Sequence, residues 1–152
     1  MSREINNVYW EDVQVKQDLP EKSRVIDTTL IAMGATWATH DFMPVHHDRD
    51  FAQSKGAPDI FMNILTTNGL VERYVVDWAG PDTELKGIAI RLGAPAHPYD
   101  TLTFSGTVES VEDGIATISV VGRVLLGDHV TGTVRVVAPP VVEPVETPGG
   151  RA

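Results

Sequence analysis

The sequence contains no cysteine. That absence excludes a disulfide, a thiolate metal site and a cysteine nucleophile, and it fits a cytoplasmic protein. The sequence also has no apolar run long enough to cross a bilayer, so no membrane span is expected. The opening residues, Met1 to Asn7, are polar and charged and do not read as a signal peptide. Basic residues are scarce: 12 Lys and Arg face 21 Asp and Glu, for a formal net charge of -9. A chain this acidic is not expected to bind nucleic acid. It can still hold an anionic small ligand, because a few local Lys or Arg residues suffice.

What is present fits one domain. The 152 residues are 42% hydrophobic and 22% charged, enough to bury one core and too few for a second domain. The first segment, through Pro20, reads as an arm with Tyr9 and Trp10 as anchors. A short strand is expected over Arg24–Thr28, then an apolar helix capped by Thr28 or Thr29 and running to about Ala38. Pro44 forbids its continuation, so Thr39 to Val45 is a loop. Asp48 can cap a brief helix through Ala52 and Gln53. The main helix is read from Asp59, with Ile60, Ile64, Val71, Tyr74, Val75 and Trp78 as its apolar stripe and Gly80-Pro81 as its end.

Four strands follow: Leu85–Leu92, Thr101–Val111, Ala116–Leu126 and Val130–Val137. Thr101–Val111 and Val130–Val137 alternate in polarity, and tight turns such as Asp113-Gly114 join the strands. An antiparallel meander after one long helix is an α+β arrangement, a sheet wrapped around a helix. The domain is placed at residues 1–138. The Pro/Gly-rich tail of residues 139–152 lacks a core pattern and reads as disordered.

The chemistry concentrates in His40-Asp41-Phe42-Met43-Pro44-Val45-His46-His47-Asp48-Arg49-Asp50-Phe51-Ala52. This short stretch gathers three histidines and three aspartates between two apolar elements. Three readings compete. It can be a solvated polar loop with Asp48 as a cap. It can be a metal site, although adjacent His46 and His47 cannot easily face one ion and no helical His-x-x-x-His is present, so no metal is expected. Or Asp41 and His46, separated by a turn at Pro44, can form an acid/base pair that shares one water.

The run Asp41-x-x-Pro44-Val45-His46-x-Asp48-x-x-x-Ala52 resembles the (R)-specific enoyl-CoA hydratase motif of MaoC-like proteins. In that motif the Asp and His are the catalytic dyad. The residue before the Asp is usually Gly and here is His40; the residue before the Pro is usually Asn and here is Met43. Asp59-Ile60-Phe61-Met62-Asn63-Ile64-Leu65, Asp77-Trp78-Ala79-Gly80-Pro81, Tyr99-Asp100-Thr101-Leu102-Thr103-Phe104-Ser105-Gly106 and Leu126-Gly127-Asp128-His129-Val130 are similar to the small subunits of actinobacterial steroid side-chain enoyl-CoA hydratases. The resemblance covers residues 20 to 137.

The resemblance implies the hot-dog fold and the addition of water to a trans-2-enoyl-CoA thioester, giving a 3-hydroxyacyl-CoA. Asp41 and His46 would hold the water. A backbone donor near Met62 or Asn63 would stabilise the thioester oxygen, with core packing as the plainer role for Met62 and dyad orientation or helix capping as the plainer roles for Asn63. No cofactor is implied, since CoA is part of the substrate. A homodimer, or a heterotetramer with a second hot-dog subunit, is implied as the assembly. A dehydratase or hydratase of ordinary fatty or branched acyl-CoA, and a non-catalytic acyl-CoA-binding subunit, remain as alternatives. Arg91 and Lys55 read as surface residues, His129 as an exposed turn residue, and Trp37, Trp78 and Phe104 as core.

Overall fold

A computed structural model of the protein describes residues 8–137, the side chain of Trp10 excepted. The tail expected from Pro139 lies outside the described residues. Five strands form one antiparallel sheet: β1 (Asp18–Val25), β2 (Glu84–Leu92), β3 (Thr101–Glu112), β4 (Ile115–Val124) and β5 (Gly127–Val137). Their order is β1-β3-β4-β5-β2. The helices are α1 (Thr28–Met33), α2 (Arg49–Ser54) and α3 (Ile64–Ala79). The sheet wraps α3, which is the expected α+β hot-dog arrangement. Among the described residues no helix is long and apolar enough to cross a membrane.

The core sits between α3 and the concave face of the sheet. Val71, Tyr74, Val75 and Ala79 of α3 are buried against Leu102, Phe104, Val108, Ile118, Val120, Val134 and Val136. The strand residues occur at every second position, so one face of each strand is buried and the other is free. Tyr74 stacks on Phe104 with ring centroids 5.5 Å apart. The tight turn after β3 uses Asp113 at φ 51° and Gly114 at φ 77°, the paired positive values that suit the twist of a hairpin.

Several boundaries differ from the sequence reading. β1 begins at Asp18, inside the segment read as an arm. It is an edge strand, and its pairing with β3 is irregular between Leu19 and Lys22, which accommodates Pro20 without a missing ladder bond. The cap of α1 is Asp27, whose carboxylate accepts from Leu30 N–H at 2.7 Å, rather than Thr28 or Thr29. The expected helix to Ala38 changes character at Gly34, and Gly34–Ala38 is a π-helical turn. α3 starts at Ile64 rather than Asp59. Asn63 takes the cap position in extended conformation, and Asp59 turns its Oδ1 to Ile60 N–H. Ile60 mimics the helical stripe by spacing alone and lies in an extended segment.

Trp37 was expected in the core and is 75% exposed. Phe104 is buried and Trp78 packs partly against the core, as expected. His129 was expected in an exposed turn; it is 1% exposed and lies on β5. The β4–β5 turn is only Leu125-Leu126, so β5 starts earlier than the polarity pattern suggested. Gly122 pairs with Val130 and Arg123 with Asp128, leaving His129 as the extra residue of a bulge. A bulge redirects a side chain that strict alternation would point outward.

Candidate active site

Asp41 follows the π turn. Its backbone N–H donates to Ala35 O at 2.8 Å. The Thr39 hydroxyl serves Gly34 O and Ala35 O at 2.9 and 3.0 Å. Widening the turn frees these carbonyls from the regular ladder, and Thr39 and Asp41 take them up. Gly34 is required there, because a Cβ would meet Thr66 Oγ1 of α3 at 2.5 Å. The π turn therefore packs directly on the first turn of α3. His40 sits at φ 54°, the left-handed region that glycine adopts without strain. That conformation accounts for the Gly usual at this place in the motif.

His46 ends a single 3-10 turn, Pro44–His46. Its Nδ1 lies 2.6 Å from Phe61 O. A carbonyl only accepts, so Nδ1 carries the hydrogen and a neutral ring presents Nε2 as a bare lone pair. Phe61 meets the ring edge-on at 5.1 Å. His97 holds the preceding carbonyl, Ile60 O, at 2.9 Å. The extended segment before α3 is thus pinned from both sides by imidazoles.

His46 Nε2 lies 3.4 Å from Asp41 Oδ2. The hydrogen bond from Asn63 holds the Asp41 carboxyl below its ordinary range against the opposing effect of partial burial, with the Met43 N–H and the nearby His46 and His47 adding to it. With the imidazole in that neutral form, the two facing atoms are both acceptors. A water molecule, with two hydrogens and a lone pair to spare, satisfies both at once and is left with its oxygen free to attack.

Asn63 uses all of its polar side-chain atoms. Its Oδ1 accepts from Thr66 N–H at 3.0 Å, capping α3. Its Nδ2 donates to Asp41 Oδ2 at 3.0 Å and to Thr39 Oγ1 at 2.9 Å. The two roles left open for it in the sequence, cap and orienter, are filled together. Met62 is 2% exposed, and its N–H donates to Ala96 O at 3.0 Å. Ile64 and Leu65, at the head of α3, have N–H groups that find no partner within the helix. The macrodipole of α3 adds positive character at this end.

A cleft of about 320 Å³ gathers these groups, lined by Asp41, His46, Phe61, Met62, Asn63 and Ile64 on one side and by residues from the end of β2 and from His129 on the other. Thr39 and His129 were missed as site residues. The former looked like a loop filler, and the latter was hidden by its bulge. Among the described residues, no group of three His, Asp or Glu side chains converges as metal ligands would.

Comparison with known proteins agrees with this geometry. The family model described as MaoC like domain matches residues 13–135. A curated relative from Mycobacterium tuberculosis, the 3-oxo-4,17-pregnadiene-20-carboxyl-CoA hydratase beta subunit, is 58% identical over 116 residues, covering 76% of this chain and 89% of that protein. Among solved structures, the ChsH1-ChsH2 complex from Mycobacterium tuberculosis contains a chain that superposes with a TM-score of 0.79 at 54% identity, over 82% of this chain and 98% of that one. The R-hydratase PhaJ1 from Pseudomonas aeruginosa superposes with a TM-score of 0.81 over 96% of this chain and 97% of its own, but at 20% identity it speaks for the fold alone. A sheet-wrapped helix, a matching family model and a close relative agree: this chain belongs to the MaoC-like domain family.

Proposed function

We propose that the protein is an enoyl-CoA hydratase that adds water to a trans-2-enoyl-CoA thioester, with Asp41 and His46 holding and deprotonating the water. The observation that carries this reading is the pair of facing acceptors, Asp41 Oδ2 and His46 Nε2, 3.4 Å apart beside the N-terminus of α3. Atoms and charge balance in one cycle. The water gives its hydroxide to the β-carbon and a proton to the dyad, and the dyad returns a proton to the α-carbon. No redox step is involved, and the dyad ends as it began.

Negative charge gathers on the thioester oxygen as the β-carbon is attacked. The N–H groups at the head of α3, from Asn63 to Leu65, are the donors suited to it, helped by the helix dipole. Because the Met62 N–H is engaged with Ala96 O, the donor is assigned to Asn63 and its successors, with Met62 shaping the cleft wall. Such donors are typically worth about 3 kcal/mol of transition-state stabilisation each.

The substrate is assigned to the steroid side-chain class, because the 58% identical relative is named as a hydratase of such a CoA ester. A second hot-dog subunit completes the assembly. That relative is a beta subunit, and a 54% identical chain occurs in a two-component complex. Two features of this chain call for a partner. Among the described residues β2 ends the sheet with an open edge, and Phe42, Met43, Ile64 and Leu65 are exposed apolar residues next to the dyad and the helix start. The cytoplasm is the assigned compartment, where CoA esters are made and used.

The test is hydration measured as loss of the conjugated thioester absorbance. A short enoyl-CoA and a steroid side-chain enoyl-CoA are compared, with the chain alone and co-purified with a second hot-dog subunit. The reading expects turnover of the steroid ester by the pair. No turnover of any enoyl-CoA in either form would leave the chain as an acyl-CoA-binding subunit.

A further inference from the structure

One buried titratable side chain near the dyad has no part in the chemistry above. His129 occupies the bulge of β5 and lines the same cleft as Asp41 and His46. Its Nδ1 lies 2.7 Å from Ala94 O, in the segment after β2. That carbonyl can only accept, so Nδ1 carries the hydrogen. Burial pushes the ring's pKa down and keeps it neutral. Nε2 is then a lone pair, and Thr67 Oγ1 lies 2.8 Å from it. The Thr67 hydroxyl therefore donates to His129. The same hydroxyl is 3.2 Å from Asn63 O, a carbonyl already served by Thr67 N–H at 3.1 Å.

A continuous path results. Ala94 accepts from His129, His129 accepts from Thr67, Thr67 donates its amide to Asn63, and Asn63 donates to Asp41. The path ties the loop after β2 to the first turn of α3 and ends on the dyad. The bulge also aligns neighbouring backbone, since Gly93 N–H and Ala94 N–H donate to His129 O and Asp128 O at 2.9 and 2.8 Å.

We infer that His129 is a positioning residue for the hydration reaction: acting through Thr67, it fixes the first turn of α3 and thereby the placement of Asn63, the helix-head N–H groups and Asp41. The inference rests on the hydratase reading and adds to it a residue that does not touch the reacting atoms. A misplacement of about 1 Å in such a constellation typically costs on the order of 100-fold in rate. The loss is therefore expected in kcat rather than in KM.

The test uses the assembly that shows hydration and compares Thr67→Val, Thr67→Ser, His129→Asn and His129→Gln. Valine keeps the shape of threonine without the hydroxyl, and serine restores the hydroxyl. Asparagine can reach Ala94 but not Thr67, whereas glutamine places a carboxamide where Nε2 stood. The expected result is a fall of about 10- to 100-fold in kcat for Thr67→Val and His129→Asn, with KM within about twofold. Thr67→Ser and His129→Gln recover most of the loss. Combining Thr67→Val with His129→Asn costs no more than the larger single loss, since both break one link. Wild-type kcat in folded Thr67→Val overturns the inference, and so does a loss that serine does not recover. If His129→Asn fails to fold, the Thr67 pair alone decides. Full turnover by Asp41→Asn sinks the catalytic role given to Asp41 and His46 of this chain, on which the inference rests; loss of turnover there with wild-type kcat in Thr67→Val sinks only the positioning role.

Discussion

Replacing Asn63 separates two functions that one side chain now performs. Asn63→Ala removes the α3 cap, the donor to Asp41 and the donor to Thr39. Loss of the cap costs about 1 kcal/mol of stability. A hydrogen bond to a charged group is worth about 1.5–3 kcal/mol, and the lower end applies because the Asp41 side chain is 30% exposed and water can replace part of the bond. If that amount is felt in the transition state, the rate falls about tenfold. Asn63→Ser is the informative partner: serine caps as well as asparagine, but it is too short to reach Asp41. Both variants are compared by thermal unfolding and by hydration kinetics. Serine should sit within about 0.5 kcal/mol of wild type in capping, yet lose activity as alanine does. The Asp41 contribution has a defined sign. Its folded pKa lies below the ordinary 3.8, so the stability it confers is present above that value and is lost as pH falls through the folded pKa. The stability gap between wild type and Asn63→Ser should therefore narrow below about pH 4. Full activity in Asn63→Ser, or a gap that widens in acid, would refute the reasoning.

Three further outcomes follow from the geometry. His40→Gly should raise stability by about 1 kcal/mol in thermal unfolding, because the residue sits at φ 54° where a side chain is strained; a lower melting temperature would contradict this. Gly34→Ala should destabilise by about 1–3 kcal/mol, since its Cβ would press on Thr66 Oγ1 at 2.5 Å and push the π turn off α3; denaturant unfolding measures it, and a neutral result would mean that the two elements separate easily. The buried His129 has a folded pKa below its ordinary 6.5, so the unfolded chain binds its proton first and stability falls as pH drops below that value. His129→Gln should lose this part of the acid sensitivity, and identical pH–stability curves for the two proteins would contradict the assignment.

The sheet and its order of elements were readable because alternation is a direct consequence of strand geometry. Val108, Ile118 and Val134 fall on the buried face wherever the chain is extended. The closeness of Asp41 and His46 was readable for a different reason: they lie on one loop, and Pro44 holds the turn between them. What was not legible depended on partners far along the chain. Ile60 was assigned to α3 because its spacing suits a helix, and nothing local shows that His97 and Ala96 hold this segment extended. Asp59-Ile60 looked like a helix start, whereas the actual cap, Asn63, is selected by its simultaneous reach to Thr66, Thr39 and Asp41. His129 was misplaced by the bulge, which shifts the strand by one residue and turns an outward position inward. Trp37 was assigned to the core by its type, and it stands exposed on the π turn. Thr39 gave no signal at all in the sequence, because its role depends on the carbonyls freed by that turn.

The account stands on Asp41 and His46 sharing one water beside the head of α3. The most direct test is the hydration rate of Asp41→Asn against wild type in the assembled protein, with folding checked by circular dichroism. Asparagine keeps the shape and a hydrogen-bonding group but cannot take or return a proton. The account predicts a fall of about 10²- to 10⁴-fold in kcat with the protein folded and the substrate still bound. An Asp41→Asn protein that hydrates enoyl-CoA at the wild-type rate would contradict it.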